Sequence, residues 1–154
     1  MEINLDFDDE LLKKYEARKA SPFFGIALQQ DNQFYPSEDW NDFGAVILNW
    51  WIGTMLHLLS SGRCKEFLFM DGPYEVKVRY RRSTKMMELR PQGLDVIWQV
   101  SPRELTEAIV NAAEKVIQKL AQMNTGKVER EGLERAVSKL RELSIQITPV
   151  IYNS

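Results

Sequence analysis

The stretch WNDFGAVILNWWIGTMLHLL, Trp40 to Leu59, is the most apolar segment of the chain, and its reading decides the fold. Between Asp42 and Arg63 there is no Asp, Glu, Lys or Arg, while residues from Phe43 to Leu59, among them Trp50, Trp51 and Met55, point apolar groups around every side of a helix. Such a helix belongs inside a core or a membrane. Its length of about twenty residues suits a membrane span, but Asn49, Thr54, His57, Gly44 and Gly53 interrupt it. Trp50 and Trp51 also sit mid-segment, whereas interfacial aromatics anchor the ends of a span. The segment therefore reads as a buried core helix. Ser37 or Asp39 is placed to cap its start, and Ser60, Ser61 and Gly62 to close its end. Glu38, Asp39 and Asp42 before it, with Arg63 and Lys65 after it, match the helix macrodipole.

Downstream, the spacing predicts a meander of antiparallel strands. Lys65 to Asp71 and Tyr74 to Arg82 flank a turn at Asp71, Gly72 and Pro73, and Tyr74, Val76, Val78 and Tyr80 alternate with Glu75, Lys77, Arg79 and Arg81. One face is apolar and the other charged, as in a sheet covered on one side. Ser83 to Leu89 and Leu94 to Val100 are two more expected strands, the latter with Leu94, Val96, Trp98 and Val100 on one face. Ser101, Pro102 and Glu104 then form a helix start with cap, first-turn proline and capping-box acid, and the stripe from Leu105 to Leu120 carries that helix to about Met123, with Gly126 ending it. A second helix is expected from about Glu129 on Leu133, Ala136, Val137, Leu140 and Leu143, followed by an extended tail from Ile145 to Ile151.

Upstream, Ile3, Leu5 and Phe7 alternate with polar neighbours as in a strand, and Asp8 can cap a short helix through Lys19. Phe23 to Gln30 reads as a further strand, and DNQFYPSED, residues 31–39, as turns. The expected architecture is α+β: a four- to five-strand antiparallel meander packed against a buried Trp-rich helix, with two C-terminal helices, in one domain spanning residues 1–154.

A net charge of −2 argues against a general nucleic-acid or anionic-membrane binder, but the charge is unevenly spread. Residues 1–42 hold ten acids and four bases, residues 63–90 eight bases and four acids, and residues 91–154 eight of each. MEINLDFDDE lacks the basic and apolar regions of a signal peptide, and Cys64 is the only cysteine, so a cytoplasmic setting without an internal disulfide is expected.

Candidate chemistry is sparse. His57 is the only histidine, which excludes any scheme needing two, and a lone His in an apolar helix reads first as structural. Cys64 reads as a buried, inert thiol. Asp6, Asp8, Asp9 and Glu10 form an acidic cluster whose spacing matches no calcium loop, and no phosphate-binding glycine loop appears, so neither cofactor nor metal is expected. The best candidate surface is the row Lys77, Arg79 and Arg81, with Arg82 and Lys85 beside it, because alternation sets three cations about 7 Å apart on one sheet face. RNA-binding sheets interleave exposed aromatics with such bases, whereas Tyr74 and Tyr80 here alternate onto the opposite face.

The WW pair Trp50–Trp51 in a buried helix, followed by a hairpin through FMDGPY (Phe69 to Tyr74), resembles small bacterial immunity proteins that neutralise polymorphic or contact-dependent toxins. The resemblance covers residues 38–82 and implies a cytoplasmic, non-enzymatic protein that binds one cognate toxin domain by occluding its active surface. Independently of the resemblance, the opposed charge of the acidic first quarter and basic middle, with the one-sided sheet, places a partner on Lys77, Arg79 and Arg81, or on the acids Asp8 and Asp9, and not on the tryptophan helix. The alternatives are a nucleic-acid-binding domain using the basic sheet face and a small enzyme centred on His57. Oligomeric state is not legible.

Overall fold

A computed structural model of the chain describes residues 1–61 and 64–153, with side chains described for all of these except Ser61 and residues 146–153. Gly62 and Arg63, expected to close and flank the central helix, lie outside the described residues. The described elements form an α+β fold of four helices and two antiparallel sheets.

The N-terminal alternation is strand β1 (Glu2–Asp6), and Asp8 opens helix α1 (Asp9–Ala17) by accepting from the backbone N–H groups of Glu10 and Leu11. Strand β2 (Phe24–Gln30) is central to the first sheet, paired with β1 on one side and with β3 (Gln33–Tyr35) and β4 (Asn41–Asp42) on the other. This sheet stands apart from the expected meander. Its two shortest strands fall within or just after the segment read as turns, and two- and three-residue strands are too brief to show a period.

Helix α2 (Gly44–Ser61) begins later than expected. Neither Ser37 nor Asp39 caps it: Trp40 and Asn41 are drawn into the first sheet, and the first helical bond runs from the Ile47 N–H to the Phe43 carbonyl. Glycine is required at its start, since a Cβ on Gly44 would fall 2.2 Å from the Phe24 ring. The helix packs against β2, β5, α3 and α4 and supplies Ile47, Leu48, Trp51, Ile52, Met55 and Leu58 to one apolar cluster shared with both sheets. It is not buried all round. Trp51 is 0% exposed but Trp50 is 41% exposed, and Asn49, Gly53 and His57 share its open side.

The second sheet is the expected meander, β5 (Lys65–Leu68), β6 (Glu75–Arg81), β7 (Met86–Pro91) and β8 (Trp98–Val100), paired in that order. Two boundaries move. Ser83 to Lys85 form the β6–β7 turn, with Lys85 left-handed (φ 57°) and its N–H bonded to the Arg81 carbonyl, so β7 starts at Met86. Leu94 to Ile97 precede β8 instead of belonging to it, and Leu94 is exposed while Trp98 and Val100 are buried.

Helix α3 (Pro102–Met123) starts as expected, with the Ser101 hydroxyl accepting from the Glu104 N–H at 3.0 Å. Left-handed Asn124 turns the chain out, and Gly126 follows with φ 59°. Helix α4 (Lys127–Asn153) buries Leu133, Val137 and Leu140 and continues to Asn153, so the stretch from Ile145 to Ile151 is helical and not an extended tail. No Gly or Asn of the kind that closes a helix stands between Leu143 and Ile145, and extending a formed helix fixes one residue per bond gained. No helix among the described residues is long and apolar enough to cross a membrane.

Candidate protein-binding surface

Alternation along β6 places Lys77, Arg79 and Arg81 on the outer face of the second sheet while Val76 and Val78 enter the core. The pairing then decides what this row can do. Lys77 lies opposite Glu66 on β5 and Arg90 on β7, and Arg79 lies opposite Glu88. Glu88 is held by Arg81 at 3.0 Å and by Arg90 at 3.6 Å. The row is thus a ladder of crossed charges, which steadies the sheet through cross-strand pairs and lowers the net positive field it offers a phosphate backbone. Lys77 and Arg79 are exposed, and Arg81 is half-buried.

Beside this ladder, β5 is an edge strand, and α2 covers its edge. The Trp51 indole N–H donates to the Leu68 carbonyl at 2.8 Å, and the Thr54 hydroxyl donates to the Glu66 carbonyl at 2.9 Å. Two backbone acceptors that would invite another strand are thereby occupied. Phe67 and Phe69 turn inward against Trp51, so Glu66, Leu68 and Met70 turn outward. Trp50 lies one turn before Thr54 on the same side of α2, which sets it along the same border.

The β5–β6 connection is held from below by Asp42, a wholly buried residue. Its carboxylate accepts from the Trp40 indole (3.1 Å) and from the backbone N–H groups of Phe43 (2.7 Å), Met70 (3.1 Å) and Asp71 (3.2 Å). Trp40 packs edge-on to Tyr74, and a Cβ on Gly72 would come within 3.0 Å of both rings. Tyr74 in turn meets Tyr35, whose hydroxyl donates to the Gln92 carbonyl at 2.8 Å and is held above its ordinary value by burial. The turn is therefore rigid, yet Leu68, Met70, Tyr74 and Trp50 remain exposed. Leu68 and Met70 turn to the outer face with Lys77, while Tyr74 shares the face of Phe69 and Val76 and packs on Tyr35 and Trp40. Exposed aromatic and Met side chains around one turn match the composition of interface centres.

The acids Asp8 and Asp9 lie elsewhere, at the start of α1. Asp8 is the helix cap, and Asp9 meets Lys119 of α3 at 2.7 Å, a contact that lowers its pKa from the ordinary value. Both have structural employment, and neither joins the cationic row. His57 is on the open side of α2, and Cys64, just before β5, is exposed, contrary to the buried thiol expected. Among the described residues no group of three His, Cys, Asp or Glu side chains is arranged to hold a metal ion.

Sequence reasoning missed Leu68, Met70, Tyr74, Trp50 and Asp42. Extending the β6 alternation across the turn into Glu66–Met70 would have placed Leu68 and Met70 outward. Nothing in a uniformly apolar segment distinguishes Trp50 from Trp51. Comparison of the chain with protein-family models, with curated proteins and with solved structures finds no match.

Proposed function

We propose that the chain is a non-enzymatic, cytoplasmic binding protein of the immunity type, which neutralises a toxin domain by covering its active surface. The observation that supports this reading is the rigid surface at the β5–β6 end of the second sheet. Leu68, Met70, Tyr74 and Trp50 are exposed around that end, and Lys77 lies diagonally across from Leu68 with Arg79 beyond it along β6. Preorganisation by Asp42 and by the α2 side chains means that little ordering entropy opposes binding. Apolar and aromatic anchors would supply affinity, and the neighbouring cations would steer an acidic patch of the partner. Trp50 brings the tryptophan helix into this surface, which departs from the expectation that the helix stays out of it.

The test is co-expression with the products of the genes adjacent to its own. Rescue of growth from a toxic neighbour, together with a 1:1 complex, is the expected result. Leu68→Asp combined with Tyr74→Ala should remain folded by circular dichroism and lose both. Retention on nucleic acid with a steep salt dependence would transfer the face to the nucleic-acid alternative. A chemical activity lost on His57→Ala would replace the binding reading with the enzymatic one.

A further inference from the structure

Three segments converge at the end of the fold that Asp42 organises. The Trp40 ring meets Tyr74 at 5.0 Å, which joins residues 36–42 to residues 70–75. The Tyr35 hydroxyl donates to the Gln92 carbonyl at 2.8 Å and the Gln92 N–H donates to the Glu75 carbonyl at 2.9 Å, which brings in residues 92–97. This last segment is pinned again at its far side, where the Trp98 indole N–H donates to the Gln33 side chain at 2.9 Å. Met70, Tyr74, Leu94 and Ile97 are exposed on this framework, the last two at 43% and 50%.

The charge of this end has one sign. Its three segments hold Glu38, Asp39, Asp42, Asp71, Glu75 and Asp95 and no Lys, Arg or His. Asp42 is buried beneath the turn, whereas Glu38, Asp39, Asp71 and Asp95 are exposed, and none of these four forms an ion pair among the described residues. The bases next along the chain, Lys77 and Arg90, lie opposite each other on the outer face of the second sheet, with Arg90 against Glu88 at 3.6 Å. Nor do the acids gather around a metal ion, since no group of three among the described residues could hold one. They stand unneutralised beside exposed apolar side chains, and the Lys or Arg of a docked protein surface supplies the complementary charge.

We propose that this loop end docks a surface of the protein partner that carries Lys or Arg side chains around an apolar centre. On the binding reading above, on which this rests, the partner presents two charge zones, whether or not it is a toxin. A basic zone meets the loops, and the acidic zone already set against Lys77 and Arg79 meets β6. Opposite charges at neighbouring positions fix which way round the partner docks, because turning it end for end sets like charges together. The loops need little ordering on contact, since Asp42, Tyr35 and Trp98 already hold them.

The probe is an acetylated, amidated hexapeptide of alternating Arg and Trp, titrated into the nitrogen-15-labelled full chain, with the same peptide carrying Glu in place of Arg as its control. Saturable shifts of the amides of residues 38–41, 71–75 and 93–97 are expected with the Arg peptide and not with the Glu peptide. Glu38→Lys, Asp71→Lys and Asp95→Lys together should weaken binding at least about tenfold, as three exposed attractions become repulsions, while circular dichroism stays unchanged. Leu94→Ser with Ile97→Ser should weaken it about three- to tenfold at unchanged charge, and Glu104→Gln with Glu107→Gln, on α3, should leave it as it is. Shifts centred on α1 or α3, equal binding of the Glu peptide, indifference to the serine pair, or no binding at millimolar peptide would each overturn the proposal. In co-expression, growth rescue that survives the triple reversal would also overturn it, and would leave the toxin reading standing. No rescue by the parent chain, with the Arg peptide still bound at the loops, would remove the toxin reading and support the docking surface.

Discussion

Replacing Asp42 with Asn removes little volume and tests the buried carboxylate that ties the first sheet to the β5–β6 connection. Asp42 spreads its contacts over both oxygens: Phe43 and Asp71 donate to Oδ1, and Trp40, Met70 and Asp71 donate to Oδ2. An amide keeps one acceptor and turns its NH2 toward the remaining donors. If its oxygen stays with Phe43, the Trp40 indole and the Met70 N–H are left unpaired in a dry site. Each unsatisfied buried donor costs about 1–3 kcal/mol, so Asp42→Asn should lose about 2–6 kcal/mol. With a urea slope of about 2 kcal/mol/M, that lowers the unfolding midpoint by about 1–3 M. Amide exchange gives the local signature: Met70 and Asp71 should lose more protection than the β6–β7 ladder. A midpoint within about 0.3 M of the parent, a loss of ~0.6 kcal/mol at that slope, would refute the assignment of Asp42 as the anchor of the turn.

The paired tryptophans should part company: Trp51→Ala should cost about 3–5 kcal/mol as a buried aromatic that also loses its bond to Leu68, while Trp50→Ala should stay within about 1 kcal/mol in the same urea melts. Arg79→Glu with Arg81→Glu sets two new acids against Glu88, so the stability loss should be largest at low salt and shrink as salt is added, read by melts across an ionic-strength series. Asp9 is held below its ordinary value of 3.8 chiefly by its hydrogen bond to Lys119. Its contribution is therefore present above pH 3.8 and lost as pH falls through the lower folded value. Wild type and Asp9→Asn should differ slightly at neutral pH and converge in acid melts below that point.

Long, strongly periodic elements were the legible part of this chain. The β6 alternation, the Ser101 cap and the stripe of α3 all stand where spacing puts them, because each is a pattern carried by residues close in sequence. Short strands were not legible: β3 and β4 exist through pairing with β2, β3 being too brief to show a period and the Asn41 and Asp42 of β4 carrying turn chemistry. The start of α2 moved for the same reason, since Trp40 and Asn41 gain ladder partners that a local capping rule does not see. Asp42 read as a flanking charge because its partners at Met70 and Asp71 are 28 and 29 residues away.

The candidate surface was the least legible feature, and its composition explains why. Its cationic rim was found by period, but its apolar centre is made of side chains that hydropathy assigns to a core. Leu68 and Met70 are turned outward by a one-residue phase relation to Phe67 and Phe69, which Trp51 fixes by packing on both rings. Trp50 is exposed because the same packing spends Trp51 inward and adjacent helical residues diverge by about 100°. The residues that make the surface sticky are thus the immediate neighbours of those that make the core. A substitution that disturbs Trp51 should consequently rearrange the binding surface as well as destabilise the fold.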